Sequence, residues 1–163
     1  MKRIFTALIF FAILIIQTSM GMHISIFAIT PNLLLTFAVL MSMNASAFKA
    51  GLLGCLCGLG FDFSSDGSIG YYGIAIMYTC IFVSVISNKF YIESILASVV
   101  AVFITTFVCE FVCLMFSDAL FEEFSLFHTT VRYILPESAV NALVSVLFVK
   151  LTRWLNNEYV RGI

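Results

Sequence analysis

An all-α integral membrane protein, a single bundle of six transmembrane helices with both termini cytoplasmic, is the fold class this sequence predicts, and three observations predict it. Of 163 residues, 62% are hydrophobic and only 10% charged, with a mean hydropathy of +1.11, against roughly 25% charged in an ordinary soluble domain. A spanning helix needs roughly 20 apolar residues, so the chain has room for about six spans, short connections and no sizeable soluble domain. All but one of the basic residues fall on one side of those spans. The formal net charge of -1 comes without a basic block, which removes the electrostatic footprint of a nucleic-acid binder.

The expected helices lie at roughly 4 to 22, 30 to 45, 48 to 62, 70 to 88, 92 to 117 and 134 to 154. The first, in MKRIFTALIFFAILIIQTSMG, has the basic start and apolar run of a signal peptide but no A-x-A cleavage pattern, so an uncleaved first span is expected. The second opens at ITPNLLLTF, where Pro31 sets a turn and the Asn32 side chain can satisfy free amides. It is short, carries Asn44 near its end, and is expected to form a tight hairpin with the third helix through Ser42 to Lys49.

The third helix, in KAGLLGCLCGLGFD, stacks Ala50, Gly54, Gly58 and Asp62 on one face with Gly51 and Cys55 beside them. Each glycine costs about 1 kcal/mol against alanine in a helix in water. In lipid such a bare face lets helices approach closely. It serves either a partner's transmembrane helix or the chain's own helices. Gly67 and Gly70, in SSDGSIGYYG, suit a tight external turn into the fourth helix.

The fifth helix contains Glu110, a carboxyl group well inside the bilayer, which must face protein or be protonated. Thr106, Cys109 and Cys113 share its face, so that side is expected to look into the bundle. Two readings stand: a proton or substrate site, or a buried hydrogen-bonding strut. The connection that follows, SDALFEEFSLFHTTVRY, mixes acids with Phe121, Phe124, Leu126 and Phe127, as an interfacial anchor or a partner contact does. Trp154 and Tyr159 read as anchors too. Pro136 is expected to open the last helix, where its missing N–H is harmless. Glu137, Asn141 and Ser145 line one face there, with Asn141 as interhelical glue or a ligand contact.

Charge placement sets the orientation. With the N-terminus inside, Lys2, Arg3, Lys49, Lys89, Lys150, Arg153 and Arg161 are cytoplasmic and Arg132 is the exception. Asp62, Asp66, Asp118, Glu122 and Glu123 lie on the outer side. Catalysis is not expected: there is no H-E-x-x-H, G-x-S-x-G, P-loop or nucleotide fingerprint, and His23 and His128 lack a nucleophile partner. The five cysteines fall in apolar runs and read as small buried hydrophobes. No cofactor or metal is expected.

In order, the chain shows PNLLL at 31 to 35, AGLLGCLCGLGFD at 50 to 62, DGSIGYYG at 66 to 73 and LPESAVNAL at 135 to 143. This resembles the bacterial MreD family of rod shape-determining membrane proteins over nearly the full length. The family pattern matches at Pro31, Asn32 and Leu33; at Gly51, Gly54, Gly58 and Asp62; at Gly67 and Gly70; and at Leu135, Pro136 and Asn141. Asn32 stands where Asp is commoner, and Ser68 where Pro often is. The resemblance implies a non-enzymatic scaffold of the cell-elongation and peptidoglycan synthesis machinery. Its implied partners are MreC, with MreB, RodA and a penicillin-binding transpeptidase in the same complex, besides membrane lipid. It also implies a fold similar to the substrate-binding subunits of energy-coupling-factor transporters. Such a vitamin-binding subunit is the rival reading, although the A-x-x-x-A docking motif is missing, Ala7 and Ala12 being five apart. A proton-coupled carrier using Glu110 is a third.

Overall fold

A computed structural model describes residues 2–23, 30–64, 70–90, 94–116 and 126–160, without the side chains of 2–3, 5, 20–23, 126 and 153–160. Every regular element among them is helical: α1 Lys2–His23, α2 Leu33–Ser42, α3 Ala47–Asp62, α4 Tyr71–Phe90, α5 Ile95–Phe116, α6 Leu126–Thr129 and α7 Leu135–Val160, with a π-helical turn, Thr130–Ile134, joining the last two. Gly67, the acidic connection at 118–125 and Arg161 lie outside the described residues.

Helix α2 is the hub. Its sequence LLLTFAVLMS is apolar on every side, and nine of its ten residues are buried, the signature of a helix enclosed by others. It touches α1, α3, α4, α5 and α7. At 1.5 Å per residue its ten residues cover about 15 Å, half of a hydrocarbon core of about 30 Å. The second helix, expected to be short and to lie at roughly 30 to 45, is shorter still: α2 is a half-length core helix running from Leu33 to Ser42. The irregular Thr30–Asn32 stretch leads into it because Pro31 and an N-capping Asn32 stop the helix from starting earlier.

Among the described residues, three helical stretches are long and apolar enough to cross a membrane: Tyr71–Phe90, Ile95–Phe116 and Phe127–Thr152. Their exposed faces carry Ile74, Tyr78, Phe82, Ile104, Val108, Leu143 and Leu147. Buried positions, by contrast, include Gln17, Asn32, Thr36, Asp62, Thr106, Glu110, Ser138 and Asn141. Apolar side chains outside and hydrogen-bonding groups inside make this a membrane protein, since lipid rewards the first and demands internal partners for the second.

The expected opening of the last helix at Pro136 is also corrected. Pro136 is the second residue of α7, which continues without a break from the π-helical turn. There the N–H of Leu135 reaches the carbonyl of Thr130, five residues back. A proline ring clashes with the carbonyl four residues before it, and the widened π turn relieves that clash inside a helix that need not end.

Candidate functional site

The polar interior is built at helix ends. The N-terminus of α2 is buried, so its free N–H groups need partners from neighbouring helices. Asn32 accepts from the Leu35 N–H at 2.9 Å through its own Oδ1. The Asn32 N–H donates to Asn141 Oδ1 on α7 at 2.8 Å, and the Leu33 N–H to Gln17 Oε1 on α1 at 2.8 Å. Gln17 Nε2 then donates to the Pro31 carbonyl at 3.2 Å. Two side-chain amides thus clamp three helices together. The other end of α2 leads to Ala45, whose carbonyl accepts from Ser84 Oγ at 2.6 Å and Asn88 Nδ2 at 2.9 Å on α4.

Asp62, the last residue of α3, caps a helix to which it does not belong. Its Oδ2 accepts from the N–H groups of Gly70 at 2.8 Å and Gly73 at 3.1 Å, and its Oδ1 from that of Tyr72 at 3.1 Å. A carboxylate at the start of α4 also meets the positive end of that helix. Gly70 sits at φ +101, a left-handed geometry that glycine tolerates and other residues resist.

Between these two ends the glycine face of α3 lies on α4. A Cβ on Gly58 would stand 2.4 Å from the Tyr72 carbonyl oxygen and 2.6 Å from Gly73 Cα; one on Gly54, 2.8 Å from the Ile76 carbonyl oxygen. On Gly51 the nearest atom is the flexible Ile81 Cδ1, at 3.0 Å. Ala50 is fully buried and Asp62 nearly so. The face is therefore occupied by the chain's own α4.

Glu110 accepts a hydrogen bond from Tyr72 Oη through Oε2 at 2.7 Å. Glu137 is half-buried on α7, one turn before Asn141. Thr106, Cys109 and Cys113 are buried on the same side of α5. Among the described residues, four buried side-chain atoms have no protein partner: Asn32 Nδ2, Asn141 Nδ2, Thr106 Oγ1 and Glu110 Oε1. On the lipid side of α4 and α5 a groove of about 910 Å³ runs between the two helices, lined by Ala75, Tyr78, Thr79, Thr105, Val108 and Cys109 among others. Tyr71 Oη closes one end by donating to the Phe116 carbonyl.

Spacing along the sequence put Asn32 at a helix start, Gly54, Gly58 and Asp62 on one face of α3 for a partner's helix or the chain's own, Gly70 in a turn, and Glu110 and Asn141 on polar helix faces; the structure joins Asn32 to Asn141 and Asp62 to Gly70. Gln17 and Tyr72 were not singled out as partners of Pro31 and Glu110. The available signal for Gln17 was a lone amide in the apolar run ALIFFAILIIQ. The model of the family described as rod shape-determining protein MreD matches residues 1–158. The chain belongs to the MreD family. No curated protein and no solved structure was found to match it. Membership gives the chain a role in rod shape determination, that of a shape-determining structural protein. Among the positions that carry the MreD resemblance, Asn32 caps α2, Asn141 is its partner on α7, Gly54 and Gly58 make the α3–α4 contact, and Asp62 caps α4.

Proposed function

We propose that this chain is a non-enzymatic scaffold of the cell-elongation machinery. In this reading it is a multi-pass protein of the bacterial cytoplasmic membrane that binds the bitopic protein MreC through transmembrane helices. MreB, RodA and a penicillin-binding transpeptidase would stand in the same complex. Membership of the MreD family over residues 1–158 carries the reading.

Both termini are cytoplasmic in this proposal, and the short α2 does not disturb it. Helices α2 and α3 form a hairpin, so they add an even number of crossings whether they span fully or turn back within the bilayer. The basic residues at 2, 3, 89, 150, 153 and 161 then remain on one side.

The partner's helix is assigned to the groove between α4 and α5. Internal packing occupies the glycine face of α3, whereas the groove is flanked by two long apolar helices and floored by the small side chains of Ala75, Thr79, Thr105 and Cys109. Small residues of this kind allow close approach of a further helix about 10 Å wide.

Affinity recovery of a tagged copy from its native membranes in mild detergent, with mass spectrometry of retained proteins, tests the proposal. MreC and elongation enzymes are expected. Recovery of ATPase subunits with a transporter membrane subunit would overturn it in favour of vitamin uptake.

A further inference from the structure

Helix α4 packs chiefly on α3, and α5 chiefly on α7, so the groove between α4 and α5 follows a seam between two tightly packed pairs. The chain itself ties one end of the seam, since only residues 91–94 separate Phe90 of α4 from Ile95 of α5. At the other end two adjacent tyrosines of α4 reach across to α5. Tyr71 Oη donates to the Phe116 carbonyl, and Tyr72 Oη donates to Glu110 Oε2 at 2.7 Å.

The two bonds differ in their surroundings. The first is exposed and ends on the last residue of α5, where a carbonyl without an intrahelical partner is served as well by water. The second is partly buried, with Glu110 only 8% exposed. Neither Tyr72 nor Glu110 lines the groove, so their bond lies on the bundle side of it, where bulk water does not compete. Tyr72 is fixed to the α3–α4 pair: its N–H donates to Asp62 Oδ1 at 3.1 Å, its ring packs on Phe61 with centroids 4.6 Å apart, and its carbonyl lies against Gly58. On α5, Glu110 Oε1 has no protein partner, which leaves the hydrogen bonding of that carboxyl to Tyr72.

We infer that the Tyr72–Glu110 bond is a latch across this seam, fixing the spacing of α4 and α5 and so the width of the groove that a docked helix meets. Its consequence for a partner rests on the groove being the partner's seat; the latch itself does not. Side-chain hydrogen bonds between membrane helices are individually modest, so losing this one lets the tyrosine end of the seam part without unfolding the bundle. A seat already held at one width also costs a partner less ordering than one that must first be closed.

Distances between nitroxide labels on the full chain in liposomes test this, with the labels carried on non-canonical residues so that the five native cysteines stay untouched. One pair, at Ile74 and Val112, straddles the groove near the latch, and a second, at Phe82 and Ile104, straddles it toward the 91–94 connection; all four side chains are exposed. Tyr72→Phe and Glu110→Leu are expected to broaden the first distribution severalfold, toward longer distances, and to leave the second unchanged. Glu110→Gln, which keeps an accepting oxygen, and Tyr71→Phe should leave both as they are in the unmodified protein. A first distribution that ignores loss of the Tyr72 hydroxyl would overturn the latch. So would equal broadening of both pairs, the mark of general loosening. Where the variants fail to fold, the unmodified chain decides: solid-state NMR should show a close contact between Tyr72 Cζ and Glu110 Cδ, and its absence overturns the latch. Reduced recovery of MreC with Tyr72→Phe, but not with Glu110→Gln, would extend the latch to partner seating. Undiminished recovery beside a broadened first pair would leave the latch standing and remove the groove as the seat.

Discussion

Asp62 shows how much one side chain contributes when a helix must begin inside a membrane protein. Three N–H groups at the start of α4 depend on it. Asp62→Ala strands all three, at about 1–3 kcal/mol for each unsatisfied group before relaxation. A loss of at least about 2 kcal/mol is therefore expected in reversible unfolding in detergent. Asp62→Asn keeps one accepting oxygen and should lose less, and equal unfolding midpoints for all three proteins would refute the capping role. Asn141→Leu leaves the Asn32 N–H without an acceptor, for a loss of about 1–3 kcal/mol by the same measurement. That Asn32 and Asn141 were polar anchors was legible from their positions. That they anchor each other was not, since spacing along a helix says which residues share a face and nothing about which helix that face meets. Gln17 escaped notice for the same reason, as did the Tyr72–Glu110 bond.

At the scale of elements, the α3–α4 hairpin turns a local liability into contact. The glycines that weaken α3 as an isolated helix let the backbone of α4 come within touching distance. Alanine substitutions should therefore rank Gly58→Ala worst, then Gly54→Ala, with Gly51→Ala mildest. At Gly58 and Gly54 the obstacle is backbone that cannot step aside, whereas at Gly51 it is the tip of Ile81. Overpacking typically costs about 1–3 kcal/mol, and the mildest variant should fall at the low end of that range in thermal unfolding. Reversal of the order would contradict the packing. Glycine spacing made a tightly packed helix readable in advance, and the turn at Gly70 likewise. That α2 is short and opens at Pro31 and Asn32 was readable; that it covers only ten residues was not, because hydropathy marks the apolar run whereas the caps set where the helix begins and ends. Pro136 misled similarly: proline at a helix start and proline after a π turn look alike in one dimension.

The whole molecule follows from one inversion. Lipid accepts the apolar exterior, so the interior is free to hold the hydrogen-bonding groups that fix helix against helix. An all-helical membrane protein was legible from composition alone, because that inversion needs few charges and many apolar residues. With the α3 face closed by α4, the groove beside Val108 is the surface we propose for a partner. Val108, exposed at 49%, can be enlarged without disturbing the core. Val108→Trp is expected to keep the unfolding midpoint within about 0.5 kcal/mol of the original protein, as surface changes usually do, while reducing recovery of MreC severalfold. Undiminished recovery would remove the groove as the contact.

The most direct measurement places a photo-activated cross-linking residue at position 108 in living cells, with the same residue at Leu147 on the exposed face of α7 as a comparison. The scaffold account predicts a covalent adduct between position 108 and the transmembrane segment of MreC, with little or none from position 147. An adduct to a transporter subunit, or equal adducts with MreC from both positions, would contradict it.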